Sequence, residues 1–152
     1  MNINWKRLLI FIMLTFFIGS FFAIFINNSN LYNSINNAIE IPNYIFPIVW
    51  SILYLLMGIS IYIVMESKSI NKSKAINIYI LQLLVNSTWT LLFFGFKLYI
   101  LSFIWIILLI VLVIIMIYRF YNINKLSGLL NLPYLVWLIF AAYLSFFVII
   151  LN

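Results

Sequence analysis

Apolar residues along the chain are grouped into five long stretches separated by short polar segments. Each stretch is close to the ~20 residues that a helix needs to cross ~30 Å of hydrocarbon. The stretches cover approximately residues 8–26, 44–65, 76–96, 98–118 and 132–151. Because a helix satisfies its backbone hydrogen bonds internally, this pattern predicts an all-α fold, an integral membrane bundle of five transmembrane helices.

The basic residues fall almost entirely in alternate gaps between these stretches. One set of gaps holds Lys6, Arg7, Lys68, Lys72, Lys74, Arg119 and Lys125, and the other set holds Lys97. Because basic loops stay in the cytoplasm, we predict a cytoplasmic N-terminus and an external C-terminus. The first stretch is longer than the ~7–15 apolar residues of a cleaved signal peptide, so we interpret it as a retained helix.

Composition excludes several classes of protein. The chain is 68% apolar and 7% charged, whereas roughly a quarter of the residues in a soluble globular protein are charged. The gaps are too short for a soluble domain, so we predict a single domain over residues 1–152. The net charge of +6 lies in short loops, where it meets anionic lipid and does not predict nucleic-acid binding. There is no cysteine or histidine, and we predict no metal site.

The longest connection, residues 27–43, is rich in Asn and Ser but also contains Tyr32 and several apolar residues. A solvated linker is one interpretation, but the apolar residues favour a lid folded over the mouth of the bundle. The gaps 66–75 and 119–131 are basic and polar, and we interpret both as solvated turns. The gap around residues 95–97 is very short, so helices three and four must form a tight antiparallel hairpin.

Three of the stretches place aromatic, polar or small residues on one helical face, at steps of three or four. In the second stretch these are Phe46, Trp50, Tyr54, Gly58 and Tyr62. In the third they are Gln82, Asn86, Trp89 and Phe93. In the fifth they are Pro133, Trp137, Ala141 and Ser145. The first has a shorter stripe of Thr15, Gly19 and Ala23, which indicates close helix packing. The fourth is nearly all aliphatic apart from Trp105, and we expect it to face lipid.

These stripes have two interpretations. Aromatic side chains in a membrane bundle often form its core or an interfacial belt. The amides of Gln82 and Asn86 need a partner in hydrocarbon, which another helix can provide as well as a ligand can. Since three helices each offer a Trp beside a polar or small residue, the pattern favours an apolar pocket with few orienting groups.

Three sequence blocks include these stripes. The first is residues 41–62, above all the run Phe46-Pro47-Ile48-Val49-Trp50. The second extends from Gln82 through Asn86 and Trp89 to Gly95. The third begins with Leu132-Pro133-Tyr134-Leu135 and continues through Trp137 and Ala141. In order and spacing, over essentially the whole chain, the blocks resemble the family of TspO, the tryptophan-rich sensory protein or translocator protein.

The resemblance implies a five-helix bundle, commonly a homodimer, in the bacterial plasma membrane. It implies a pocket under the first long loop that binds porphyrins such as protoporphyrin IX or haem as ligands, with no required cofactor. The implied ligand-binding residues are Tyr32, Trp50, Asn86, Phe93, Trp137 and Ala141. Some bacterial members also promote light-dependent porphyrin breakdown, for which Trp50 and Trp137 would be the catalytic residues. The chain departs from the family in its first long loop, and Trp105 stands where the family has an acidic residue.

The possible chemistry is limited, because Asp, Glu, His and Lys are missing from the interiors of the apolar stretches. This argues against acid–base catalysis and against a proton-coupled transporter. We therefore expect a membrane receptor or sensor for porphyrins or related apolar ligands. A porphyrin-degrading enzyme, a carrier of small hydrophobic molecules and a packing subunit remain alternatives.

Overall fold

The chain folds into a bundle of long helices, and every regular element that the structure describes is helical. The computed structural model describes residues 3–22 and 44–151. We number the five long helices α1 to α5. They are Trp5–Ser20, Ile45–Glu66, Lys72–Thr90, Tyr99–Ile123 and Leu132–Leu151. A π-helical turn, Leu91–Gly95, extends α3, and a short helix, Lys125–Leu129, precedes α5. The predicted all-α fold is confirmed.

Within the described residues, four helical segments are long and apolar enough to cross a membrane. They are Ile45–Glu66, Lys72–Gly95, Tyr99–Ile123 and Lys125–Ile150. Helix α1 is described over 16 residues, and residues 23–26 of its predicted span, like the predicted lid at 27–43, lie outside the described residues. The protein is an integral membrane protein.

The basic segments meet at one end of the bundle, which we call the basic end. Arg7 of α1 pairs with Glu66 of α2 at 2.7 Å, and the Lys72 ammonium donates to the Met65 carbonyl oxygen at 3.2 Å. Lys74 and Arg119 line one cleft there. The grouping that the charge pattern predicted is therefore present, and the cytoplasmic location of this end stays a prediction.

Helices α1 and α2 pack closely through small residues. A Cβ atom on Gly58 would lie 2.6 Å from the Ile12 Cα atom, so the two backbones are in contact there. Gly19 provides the same close approach for the Tyr54 ring. Thr15 is buried beside Gly19 and shares a hydrogen bond of 2.6 Å with the Tyr79 hydroxyl of α3. The predicted packing role is confirmed for Thr15 and Gly19, and Ala23 lies outside the described residues.

Helix α4 corrects the expectation of a purely lipid-facing wall. One of its faces is fully buried against α3 and α5, through Ser102, Ile106, Leu109, Val113, Met116 and Phe120. Trp105 also contacts α3, where its Nε1 donates to the Val85 carbonyl oxygen at 3.1 Å and to the Thr88 hydroxyl at 3.0 Å. Aliphatic side chains suit protein and lipid equally, so composition did not reveal this buried face.

The connection 119–131 is also not the solvated turn that its composition predicted. Helix α4 continues to Ile123, and Ser127 and Asn131 are fully buried. The Asn131 Nδ2 donates to the Ser60 hydroxyl at 2.6 Å, and that hydroxyl donates to the Ser127 carbonyl oxygen at 2.7 Å. The connection is therefore bonded to α2 near the basic end.

The hairpin between α3 and α4 is as tight as the sequence predicted. The chain turns at Lys97, which has a φ of 55°. The Leu98 amide donates back to the Leu92 carbonyl oxygen at 3.1 Å, which closes the turn. Lys97 lies at the end of the bundle opposite the basic end.

We expect Gly58→Ala to destabilise the bundle by about 1–3 kcal/mol, because the added methyl group must push α1 away from α2. The thermal unfolding midpoint in detergent micelles measures this. Gly95→Ala is the matched control, since its Cβ would meet only the movable Leu91 side chain, at 3.1 Å. Equal midpoints for the two variants would contradict close packing at Gly58.

Candidate functional site

A cavity of about 250 Å³ lies between α1, α2 and α3, at the end of the bundle opposite the basic end. It is located where α1 ends and α2 begins. Its lining is mainly aromatic and otherwise consists of small or hydroxyl-bearing residues. The lining residues are Phe16, Gly19, Ser20, Phe46, Pro47, Trp50, Ser51, Tyr54, Trp89, Thr90 and Phe94.

Helix α2 provides the longest wall of this cavity. Phe46, Trp50 and Tyr54 follow one another at steps of four, so their side chains lie on one face, and all three line the cavity. The Trp50 ring lies 5.3 Å from the Tyr54 ring, tilted by 31°. The same face continues to Gly58 and Tyr62, where it packs against α1. The predicted stripe is therefore one surface with a cavity at one end and a helix contact at the other.

Helix α3 and its π-helical turn provide the opposite wall. The Trp89 Nε1 donates to the Ser102 carbonyl oxygen of α4 at 3.1 Å, which fixes the orientation of the indole. Phe93 stacks on Trp89 with 5.2 Å between centroids and 20° between planes. Phe94 meets Trp89 edge-on at 5.9 Å and reaches the cavity. Phe93 is buried and supports the two rings that form the wall.

Tyr54 brings a polar group to the cavity wall. Its hydroxyl donates to the Gly19 carbonyl oxygen at 2.9 Å and accepts from the Asn86 Nδ2 at 3.1 Å. Asn86 is fully buried and is not a lining residue, so Tyr54 stands between it and the cavity. The Asn86 Oδ1 is buried without a hydrogen-bond partner among the described residues.

Helix α5 contacts the cavity wall from behind. The Tyr134 hydroxyl donates to the Gln82 Oε1 at 3.1 Å, and the Tyr134 ring meets Trp50 at 6.2 Å between centroids. Trp137 meets Phe46 edge-on at 5.9 Å. The Trp137 Nε1 is buried, and within the described residues it has no acceptor.

The structure therefore brings the predicted site residues together only in part. Trp50 lines the cavity, and Asn86 and Trp137 touch residues that line it. Phe93 lies behind the wall. Ala141 is buried on α5, where its carbonyl oxygen accepts the Ser145 hydroxyl, and it is not a lining residue. Tyr32 lies outside the described residues.

Several lining residues were not among the predicted ligand contacts. Phe46, Tyr54 and Trp89 belonged to the stripes and could have been included on that ground. Helix α1 contributes Phe16, Gly19 and Ser20, of which the sequence marked only Gly19, and as a packing residue. The cavity lies between α1, α2 and α3, whereas the sequence predicted a pocket between α2, α3 and α5.

The chemistry of the lining is apolar and aromatic, with hydroxyl groups as its polar side chains. Among the described residues that line the cavity there is no Asp, Glu, His, Lys or Arg. In the described part of the chain there is no group of three or more His, Cys, Asp or Glu side chains that could hold a metal ion. Such a site suits a flat, apolar ligand that is held by ring contacts and oriented by few hydrogen bonds.

Two comparisons with known proteins bear on the family of the chain. The model of the TspO/MBR family matches residues 9–151. A relative, the "Tryptophan-rich protein TspO" of Archaeoglobus fulgidus, is 39% identical over 56 residues, which is 37% of this chain and 37% of the length of that relative. The family match supports a sensor- or receptor-type role in the membrane. It covers nearly the whole chain, and the protein therefore belongs to the TspO/MBR family.

Proposed function

We propose that the protein is a membrane receptor that binds a porphyrin, such as protoporphyrin IX or haem, in the cavity between α1, α2 and α3. The observation that supports this most directly is the aromatic lining. Trp50 and Trp89 approach the cavity from two helices, and Phe16, Phe46 and Phe94 complete its walls. Aromatic faces favour offset or edge contacts with another π-system, so they suit a tetrapyrrole better than an aliphatic ligand.

The polar groups of the site are suited to orienting such a ligand. The Tyr54 hydroxyl is held by Gly19 and Asn86, and a fixed hydroxyl can discriminate between ligands by the group it meets. The remaining lining hydroxyl groups bond to carbonyl oxygens of their own helices, as Ser20 and Ser51 do. The cavity therefore presents one well-positioned polar group in an apolar wall, as small-molecule sites commonly do.

The cavity is too small to admit a tetrapyrrole without movement of its lining. At about 250 Å³ it is below the ~300–1,000 Å³ of typical ligand sites, so a tetrapyrrole must displace side chains to enter. Trp50 is only partly buried and is held by ring contacts. We infer that rotation of this indole admits the ligand.

Trp50→Leu should weaken protoporphyrin IX binding by about tenfold or more, because a buried aromatic side chain contributes roughly 1.5–3 kcal/mol. The dissociation constant is measured from the porphyrin absorbance band, which does not depend on the tryptophan content of the variant. Trp5→Leu is the control, since Trp5 is 66% exposed at the far end of α1. Unchanged affinity in Trp50→Leu, or an equal loss in Trp5→Leu, would contradict binding in this cavity.

Asn86→Ala separates a structural role from a ligand role. Because the Asn86 amide donates to Tyr54, we expect a loss of stability of about 0.6–1.7 kcal/mol, as for interhelical hydrogen bonds in membranes. The unfolding midpoint and the porphyrin dissociation constant are measured on the same sample. Asn77→Ala on the exposed face of α3 is the control. A tenfold loss of affinity at unchanged stability would instead assign Asn86 to the ligand.

Light-dependent porphyrin breakdown is a second candidate, favoured by the position of the Trp50 indole in the cavity wall. The excited porphyrin would take an electron from a nearby indole. Since Trp50 lines the cavity and Trp137 does not, we expect Trp50→Phe to slow bleaching several-fold more than Trp137→Phe, with Trp5→Phe as control. The rate of absorbance loss under illumination measures this. Bleaching at the wild-type rate in Trp50→Phe would exclude its indole as donor.

The carrier alternative receives less support from the packing. A carried ligand must reach both ends of the bundle, and between the cavity and the basic end α2 buries Met57, Ile61, Tyr62 and Val64. Tyr79 of α3 stacks on Phe120 of α4 in the same region, with 6.0 Å between ring centroids.

A further inference from the structure

We propose that a second site, at the basic end, binds the headgroup of an anionic phospholipid. A cleft lies there between the α2–α3 connection and the last turns of α4. Lys74 comes from the first turn of α3, and Arg119 from α4. Ser69, Asn71 and Asn122 line the same cleft and offer hydrogen-bond donors beside the two cations.

Neither cation of this cleft has a carboxylate partner among the residues that the structure describes. The sequence contains two acidic residues, Glu40 and Glu66. Glu66 pairs with Arg7 at 2.7 Å, and Glu40 lies outside the described residues. Lys74 and Arg119 therefore face a common space without a carboxylate partner in the described part of the chain, and like charges in one cleft repel unless an anion joins them.

The remaining groups of the cleft are arranged as donors. The Ser69 hydroxyl oxygen accepts a hydrogen bond from the Asn71 backbone N–H at 3.3 Å. The hydroxyl proton of Ser69 therefore remains available to a ligand. Asn71 is the N-cap of α3 and makes no side-chain capping bond, and the first turn of α3 contains no acidic residue. The positive end of the helix dipole thus adds to the two full charges. A phosphate group, with several acceptor oxygens and negative charge, fits this set of donors.

The surface next to the cleft indicates that the phosphate belongs to a lipid. Tyr118 and Ile115 line the cleft and are 69% and 37% exposed. The same face of α4 continues toward the middle of the bundle with the exposed residues Ile107, Val111 and Ile114. An acyl chain along this strip would place its headgroup at Lys74 and Arg119. Basic pockets at one membrane surface are known to select anionic headgroups in this way.

The test is a lipid titration of purified protein in detergent micelles, with bound lipid counted by native mass spectrometry. We expect the wild-type protein to bind phosphatidylglycerol in preference to phosphatidylcholine. The variant K74Q/R119Q should bind phosphatidylglycerol more weakly by about tenfold or more, since it loses the charge-assisted contacts of both cations to the phosphate. The control K68Q/K125Q removes the same charge from exposed positions at the same end, outside the cleft, and should change the affinity less than about threefold.

Three results would overturn the proposal. An equal loss in K68Q/K125Q would show a general surface potential instead of a site. Equal binding of phosphatidylcholine would show that the charge of the headgroup is irrelevant. Displacement of the lipid by an excess of inorganic phosphate would assign the cleft to a soluble anion. Circular dichroism and the unfolding midpoint of both variants verify that a lost affinity does not reflect lost structure.

Discussion

The two hydrogen bonds of the Tyr54 hydroxyl group join three helices, and the rest of the bundle depends on them. Hydrocarbon supplies no hydrogen bonds, so each polar group in the spans must find its partner on a neighbouring helix. Tyr54 of α2 meets this requirement twice, by donating to the Gly19 carbonyl oxygen of α1 and accepting from Asn86 of α3. Three helices are thereby held in register at one atom. The small size of Gly19 makes this possible, because the Tyr54 ring occupies the space of a side chain there.

The same arrangement explains why the cavity is aromatic. Two of its rings are held by polar bonds to neighbouring helices, and its remaining described rings are held by contacts with other rings. Trp89 bonds through its nitrogen to the Ser102 carbonyl oxygen of α4, and Tyr54 bonds through its hydroxyl. These two polar groups stabilise the helix contacts, while the rings that carry them line the cavity. Binding a flat ligand then requires movement only where a ring lacks such a bond, as Trp50 does in the contacts that we describe.

The sequence correctly predicted the placement of charged and polar residues, because a misplaced charge or polar group in a bilayer costs much free energy. Charge cannot be placed freely across a bilayer, so the basic residues sorted to one end as expected. Polar and aromatic residues at steps of four marked the true face of α2. The prediction was wrong where two environments favour the same residues. The face of α4 from Ile106 to Phe120 has the composition of a lipid-facing surface, and the buried Ser127 and Asn131 have that of a solvated loop. Periodicity also cannot tell which helices enclose a cavity, so the contribution of α1 was missed.

Each of the two amide side chains on α3 has one polar atom that is hydrogen-bonded and one that is not. This affects both the stability of the bundle and the shape of its cavity. Gln82 and Asn86 each bond through one atom to a tyrosine, Tyr134 and Tyr54 respectively. Their other polar atoms, the Gln82 Nε2 and the Asn86 Oδ1, are buried and find no partner among the described residues. Each unpaired group costs about 1–3 kcal/mol. A core of aliphatic residues would avoid this cost but would remove the partner of the Tyr134 hydroxyl and one of the two partners of the Tyr54 hydroxyl. The position of the Tyr54 hydroxyl, and with it the shape of the cavity, is thus maintained at the expense of a less stable bundle centre.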